Sequence, residues 1–165
     1  LRLEGRLWWC ACGQQFLWAG DTQSSHCSQH LLDPYAFTHL LHGVGYCGIL
    51  ALIAPRLAPG WSFTWSMLAE CLWELLENSQ VVIDRYRNET AALGYTGDSI
   101  INSVGDLAAS AAGWWLAKRL GWKWSIALFV TVELVLLVWI RDNLTLNIVM
   151  LVWPLESLKQ WQLGP

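Results

Sequence analysis

A length of 165 residues suits one domain, and 55% hydrophobic against 14% charged residues is far below the roughly 25% charge of a soluble domain. Thirteen Trp against ten Lys and Arg fit a bilayer better than water, because indole rings settle at the membrane interface. A net charge of -3 without a basic stripe excludes nucleic acid as a partner, and five scattered Cys give no disulfide framework.

The expectation is an all-α fold: a polytopic membrane helical bundle with four to five membrane helices plus interfacial segments. No signal peptide is visible and the first residue is not Met, so an upstream segment is expected to precede this sequence. Residues 1–33 are short of apolar runs. Trp8, Trp9, Phe16 and Trp18 alternate there with Gly and polar residues, as in an interfacial, extracytoplasmic N-terminal segment that ends in the polar stretch Asp21 to His30. Residues 34–165 form the membrane bundle.

The first span is predicted from about Asp33 to Ala54. Asp33-Pro34 starts it, with Pro at the first helical position, and Pro55 and Pro59-Gly60 close it. The second runs from Trp61 to about Asn78, the third from Asp98 to about Leu116, and the fourth, the most apolar, from Trp124 to Ile140. All four approach the roughly 20 residues that cross a bilayer. A fifth stretch, Leu144 to Trp161, is interrupted by Pro154, Glu156 and Lys159, and can span, re-enter or lie flat. Residues 80–97 are too polar to span and are expected to fold over the mouth of the bundle. There Asp84, Arg85 and Arg87 should fold back over the polar faces, with Arg85 or Arg87 within salt-bridge reach of Glu74, Glu77, Asp98 or Asp106.

Basic residues set the orientation. Arg56 lies between the first two spans, and Lys118, Arg119 and Lys123 between the third and fourth. These acid-free loops are placed in the cytoplasm. The opposite side then holds His26, His30, Asp33, Asp84, Arg85, Arg87, Asp98, Arg141 and Asp142.

Positions three, four, seven and eight apart share a helical face. Tyr35, His39, His42 and Tyr46 do so on the first span. Glu70, Glu74, Glu77 and Asn78 do so on the second, and Asp98, Asn102, Gly105, Asp106 and Ala109 on the third. The simplest packing turns all three faces inward, since an acid facing lipid costs several kcal/mol. Such a cluster can bind a divalent metal such as Zn, Mg, Mn or Fe, or share protons. Gly105, Ala108, Ala109, Ala112 and Gly113 let the third span approach its neighbours closely. Other readings stand beside this one. The carboxylates can be solvated at the membrane edge, the His can hydrogen-bond across helices, and the arginines can be structural counter-ions. Glu133, alone in the fourth span, is expected to pair with a polar residue of another helix.

Cys10-Ala11-Cys12-Gly13, with His26, Cys27 and His30, can make a zinc site, although the spacing is not that of a zinc ribbon. The alternatives are ordinary cysteines or a disulfide to Cys27. Cys47 and Cys71 are expected to be packing residues. All four His lie between His26 and His42, which leaves no His pair on separate membrane helices for a bis-His haem.

Several long polar runs carry a resemblance. They are Cys10-Ala11-Cys12-Gly13, Ser28-Gln29-His30, Thr38-His39-Leu40-Leu41-His42-Gly43 and Trp73-Glu74-Leu75-Leu76-Glu77-Asn78-Ser79. Further along come Ile83-Asp84-Arg85-Tyr86-Arg87, Gly97-Asp98-Ser99, Asn102-Ser103, Asp106 and Ile140-Arg141-Asp142-Asn143-Leu144-Thr145-Leu146-Asn147. With these, the chain resembles, over nearly its whole length, the bacterial inner-membrane proteins grouped as domain of unknown function 2585. His26 and Cys27 stand where the family pattern has other polar residues. The resemblance implies a multi-pass bacterial inner-membrane location and one more apolar helix before the Cys motif, and brings no activity. The Asp-x3-Asn-x3-Asp run of the third span also looks loosely like motifs of VanZ-like proteins and of signal peptidase II.

The functional expectation is a polar site facing the extracytoplasmic side and serving lipid- or envelope-linked hydrolysis. Glu74, Asp98 and Asp106 would be catalytic, His39, His42 and Glu70 would hold a divalent metal, and Arg85, Arg87 and Arg141 would bind an anionic head group. The competing expectations are a non-enzymatic accessory subunit or assembly factor of a larger membrane complex, and a proton or ion carrier. Membrane lipids and other membrane-protein subunits are the expected partners.

Overall fold

The structure, a computed structural model, describes residues 1–164, and among these it is all-helical. A 3-10 turn at Arg2–Glu4 is followed by α1 (Ala36–Ile53), α2 (Pro59–Glu77), α3 (Gln80–Glu89), α4 (Ile100–Ile140), α5 (Leu144–Val152) and α6 (Glu156–Leu163). The starts follow local chemistry. The Asp33 carboxylate accepts the Tyr35 N–H at 2.8 Å at the head of α1. Pro59 occupies the first turn of α2. The Ser99 hydroxyl accepts the Asn102 N–H at 3.2 Å at the head of α4.

α4 is two helices. At Gly121, φ 71° and ψ 172° lie in a region essentially reserved for glycine, and the backbone reverses there. A straight helix would carry Trp139 about 50 Å from Gly105. Instead, Gly105 abuts the Leu31 carbonyl, Leu32 bridges to Trp18, and the Trp18 ring stacks on Trp139 at 6.1 Å. The two limbs, 100–120 and 122–140, therefore run antiparallel over the stretches read from the sequence as a third and a fourth span.

α1 lies at the centre of the bundle. Gly43 permits its close crossing with the first limb of α4, since a Cβ there would sit 1.9 Å from the Ser110 carbonyl oxygen. Val44, Cys47, Trp114 and Ala117 form the apolar core, with Leu40, Leu128 and Phe129 packed against it. α2 runs antiparallel to α1, its start on Trp114 and its end beside Asp98. The heads of α1 and α4 and the ends of α2 and α4 thus share one end of the bundle. Arg56 and the Gly121 bend lie at the other, where Arg119 covers the Trp115 ring at 4.4 Å and Lys123 the Trp122 ring at 5.5 Å.

Two helices, α1 and α4, are long and apolar enough to cross a membrane. α2 has 19 residues, but Glu70, Glu74 and Glu77 lower its apolarity. The stretch from Leu144 does not form a fifth span. Trp153 to Leu155 break it into helices of 9 and 8 residues, about 14 and 12 Å long, well short of a bilayer core of about 30 Å.

Candidate functional site

The polar faces of α1, α2 and α4 meet inside the bundle. His39 Nδ1 lies 2.7 Å from Glu70 Oε1 and 3.4 Å from Glu74 Oε1. His42 Nδ1 lies 3.1 Å from Glu70 Oε2. Both imidazoles therefore close on one carboxylate, and Glu70 is fully buried. Glu74 and Asp106 are buried beside the same His39 imidazole, and both Glu74 oxygens and Asp106 Oδ1 have no hydrogen-bond partner. The Ser103 and Ser110 hydroxyls, a helical turn to either side of Asp106, are likewise unpartnered.

Two donor sets fit a cation. The ligand atoms of His39, His42 and Glu70 lie within 4.8 Å of one another, as do those of His39, Glu74 and Asp106. The first set is already satisfied by its own hydrogen bonds. In the second, buried carboxylate oxygens without a hydrogen-bond partner suit a positive charge, since each bare buried acceptor costs roughly 1–3 kcal/mol and a bare charge more. One nitrogen and two carboxylates suit a hard or borderline divalent ion. No Lys or Arg side chain among the described residues reaches salt-bridge distance of a carboxylate, so apart from His39 and His42 no protein side chain offers a positive charge here.

A cavity of about 270 Å³ adjoins the cluster, lined by His39, His42, Tyr46, Trp73, Glu77, Tyr95, Asp98, Asn102, Asp106 and Asp142, among others. Asp98 forms its far wall rather than joining the His cluster. It accepts the Asn78 amide at 2.7 Å and the Tyr95 hydroxyl at 3.0 Å. Burial pushes its carboxyl up to about 6, against those two hydrogen bonds. Asn102 lines the cavity, but its amide donates to the His30 carbonyl at 2.9 Å.

α3 folds over this end, as the polar stretch at 80–97 implied, but through tyrosines. Tyr86 donates to Glu77 at 3.0 Å or to Asn147 at 2.8 Å, and Tyr95 reaches Asp98. The expected pairing of arginine with carboxylate is absent. Arg85 donates to the Leu151 carbonyl at 2.9 Å, Arg87 to the Tyr95 carbonyl at 2.6 Å and Arg141 to the Trp161 carbonyl at 3.3 Å. Asp84 takes the Gln80 amide at 2.8 Å on the exposed side. For Arg85 and Arg141 the physical reason is the C-terminal turns of α5 and α6, whose unsatisfied carbonyls attract cationic donors, whereas Arg87 is held by a carbonyl of the loop that follows α3. Glu133 pairs with backbone rather than a side chain, accepting the Leu144 and Thr145 N–H groups at 2.9 and 3.1 Å.

Sequence reasoning passed over Tyr86, Tyr95, Ser103 and Ser110 at this site. The two serines were within reach of the periodicity, since they flank Asp106 at three and four residues. The tyrosines carry no such signal, because nothing in the loop spacing aims them inward.

The chain matches, over residues 1–164, the family model described as "Protein of unknown function (DUF2585)". A UPF0314 protein from Paracoccus denitrificans is 45% identical over 153 residues, covering 93% of this chain and 79% of the relative. One from Sphingopyxis alaskensis is 46% identical over 155 residues, covering 94% and 82%. One from Brucella anthropi is 41% identical over 164 residues, covering 99% and 83%. No solved structure matches.

Proposed function

We propose, since this chain belongs to the DUF2585 family of bacterial proteins, that it is a multi-pass inner-membrane protein whose core holds a divalent cation and acts on a lipid- or envelope-linked substrate by hydrolysis. The observation that carries this reading is the set of unpartnered buried oxygens on Glu74 and Asp106 beside His39. α1, α2 and the two limbs of α4 supply four crossings. Leu52, Trp122 and Val138, at 83%, 71% and 85% exposed, face lipid rather than water. The basic Gly121 end is cytoplasmic and the carboxylate end extracytoplasmic.

A bound cation supplies Lewis acidity and a nucleophilic water. Glu70 holds the His39 and His42 rings in place. His39, Glu74 and Asp106 would hold the cation, and a Glu74 or Asp106 oxygen not engaged with it would serve as the proton acceptor. Asp98, on the far cavity wall, donates a proton to the leaving group. Arg85, Arg87 and Arg141 form a cationic rim at the same end, suited to an anionic head group.

Metal analysis of the detergent-purified chain, with lipid mass spectrometry of cells lacking the gene, tests this. Glu74→Gln and Asp106→Asn proteins should fold, lose the core cation and fail to restore the wild-type lipid profile. Variants that restore it fully would overturn the reading. A second reading, an accessory subunit of a larger membrane complex, draws on the directly paired His39–Glu70–His42 network, which can pin helices without chemistry. A lipid profile unchanged by gene loss, together with co-purification of stoichiometric membrane subunits, would favour it.

A further inference from the structure

We propose that Cys10, Cys12, His26 and His30 form a structural zinc site, separate from the core cluster, that fastens the N-terminal segment across the head of α4. The four ligand atoms lie within 4.8 Å of one another. Cys10 Sγ stands 3.7 Å from His26 Nδ1, Cys12 Sγ 3.8 Å from the same atom, and His30 Nε2 3.1 Å from it. A tetrahedral zinc with bonds of about 2.3 Å to sulfur and about 2.0–2.1 Å to nitrogen separates its ligands by about 3.6 Å (S···N) and about 3.4 Å (N···N). The observed spacings are those edges to within a few tenths of an ångström. Hydrogen bonding alone would not gather two sulfurs and two imidazole nitrogens so closely, because thiols are weak donors and acceptors.

Backbone donors face both sulfurs. The Cys12 N–H donates to Cys10 Sγ and the Gln14 N–H to Cys12 Sγ, each at 3.4 Å, through a tight turn at Gly13. Such bonds favour the charged sulfur that a metal requires. The Trp9 indole N–H and the Phe16 N–H hold His30 Nδ1 at 3.1 and 3.2 Å, which turns Nε2 toward the sulfurs. Uptake expels the two thiol protons to solvent, and the proton between His30 Nε2 and His26 Nδ1 passes to His30 Nδ1 in exchange for the Trp9 and Phe16 hydrogen bonds, so both rings bind as neutral imidazoles. Cys27 is outside the set: its Sγ faces Asp33 Oδ2 at 3.7 Å, and all five cysteines are free thiols.

The role follows from what this segment touches. Between the 3-10 turn and α1 it has no helix, and its one β-bridge joins Trp18 to Leu32. Yet its carbonyls satisfy the N–H groups that α4 leaves unpaired at its head. Ile100 donates to Leu7 at 2.8 Å, Ile101 to Trp8 at 3.2 Å and Ser99 to Ser28 at 2.9 Å. Closing the loop from Cys10 to His30 on a metal holds those acceptors in register, where a segment this short of core cannot hold itself.

The test is zinc analysis and cobalt exchange on the full chain, purified in detergent without chelator. The wild type should carry stoichiometric zinc here and show thiolate-to-cobalt charge-transfer absorption after exchange. Cys12→Ser and His26→Ala should lose that band, and Cys71→Ser should keep it. The core cluster contains no sulfur, so the band reports this site alone. If the Cys12→Ser protein does not fold, the wild-type spectrum still decides. No charge-transfer band in the wild type, a Cys10–Cys12 disulfide, or a band that survives in folded Cys12→Ser would overturn the proposal.

Discussion

Asp98 shows how a single side chain can report the buried end of the bundle. Its folded carboxyl titrates near 6 because burial disfavours the charge, whereas the unfolded group titrates near its ordinary 3.8. The folded state therefore binds the proton more tightly. The resulting stability is complete below about pH 4 and is lost as pH rises through 6, an effect of about 3 kcal/mol. Thermal melts in detergent should show the wild type losing stability across that interval, and Asp98→Asn should flatten that part of the profile. A profile for Asp98→Asn that parallels the wild type would refute the assignment. Glu133 makes a second residue-scale case. Its two oxygens cap α5, so Glu133→Ala should destabilise by about 1–2 kcal/mol, while Glu133→Gln, which keeps one acceptor, should lose less.

The elements were legible where the chemistry is local. Asp33-Pro34 and Pro59 mark helix starts, and the three polar faces follow from helical spacing, so His39, His42, Glu70, Glu74 and Asp106 were readable as one inward cluster. The Arg85 and Arg87 pairing was not, because whether a guanidinium meets a carboxylate or a backbone carbonyl depends on how α3 docks against α5 and how the loop after α3 returns, which no spacing encodes. The fate of residues 144–161 was equally hidden. The sequence there is apolar enough to span, and the break at Trp153 to Leu155 decides otherwise. Gly121 governs the largest such choice. Gly121→Val should cost about 1–3 kcal/mol through its φ of 71° and shift the limbs of α4 away from a tight hairpin. Loss of proximity between Trp18 and Trp139, read by a crosslink between cysteines placed at those positions, checks it; an unchanged crosslink yield would contradict the role given to Gly121.

At the scale of the whole molecule, one end of the bundle is basic and ringed by tryptophan, and the other gathers carboxylates, tyrosines and the cysteine–histidine cluster. Labelling of single cysteines introduced at Ala58 and Asn88 should give opposite sides of the membrane, with position 88 reached from outside the cell. Labelling of 58 from outside would reverse the orientation. The central claim is that His39, Glu74 and Asp106 hold a cation of their own, independent of the cysteine–histidine site. Metal content of the Cys12→Ser chain, purified in detergent without chelator, tests it most directly. That protein should retain a stoichiometric divalent cation, and adding Glu74→Gln should remove it; a folded Cys12→Ser protein with no bound divalent cation would contradict the account.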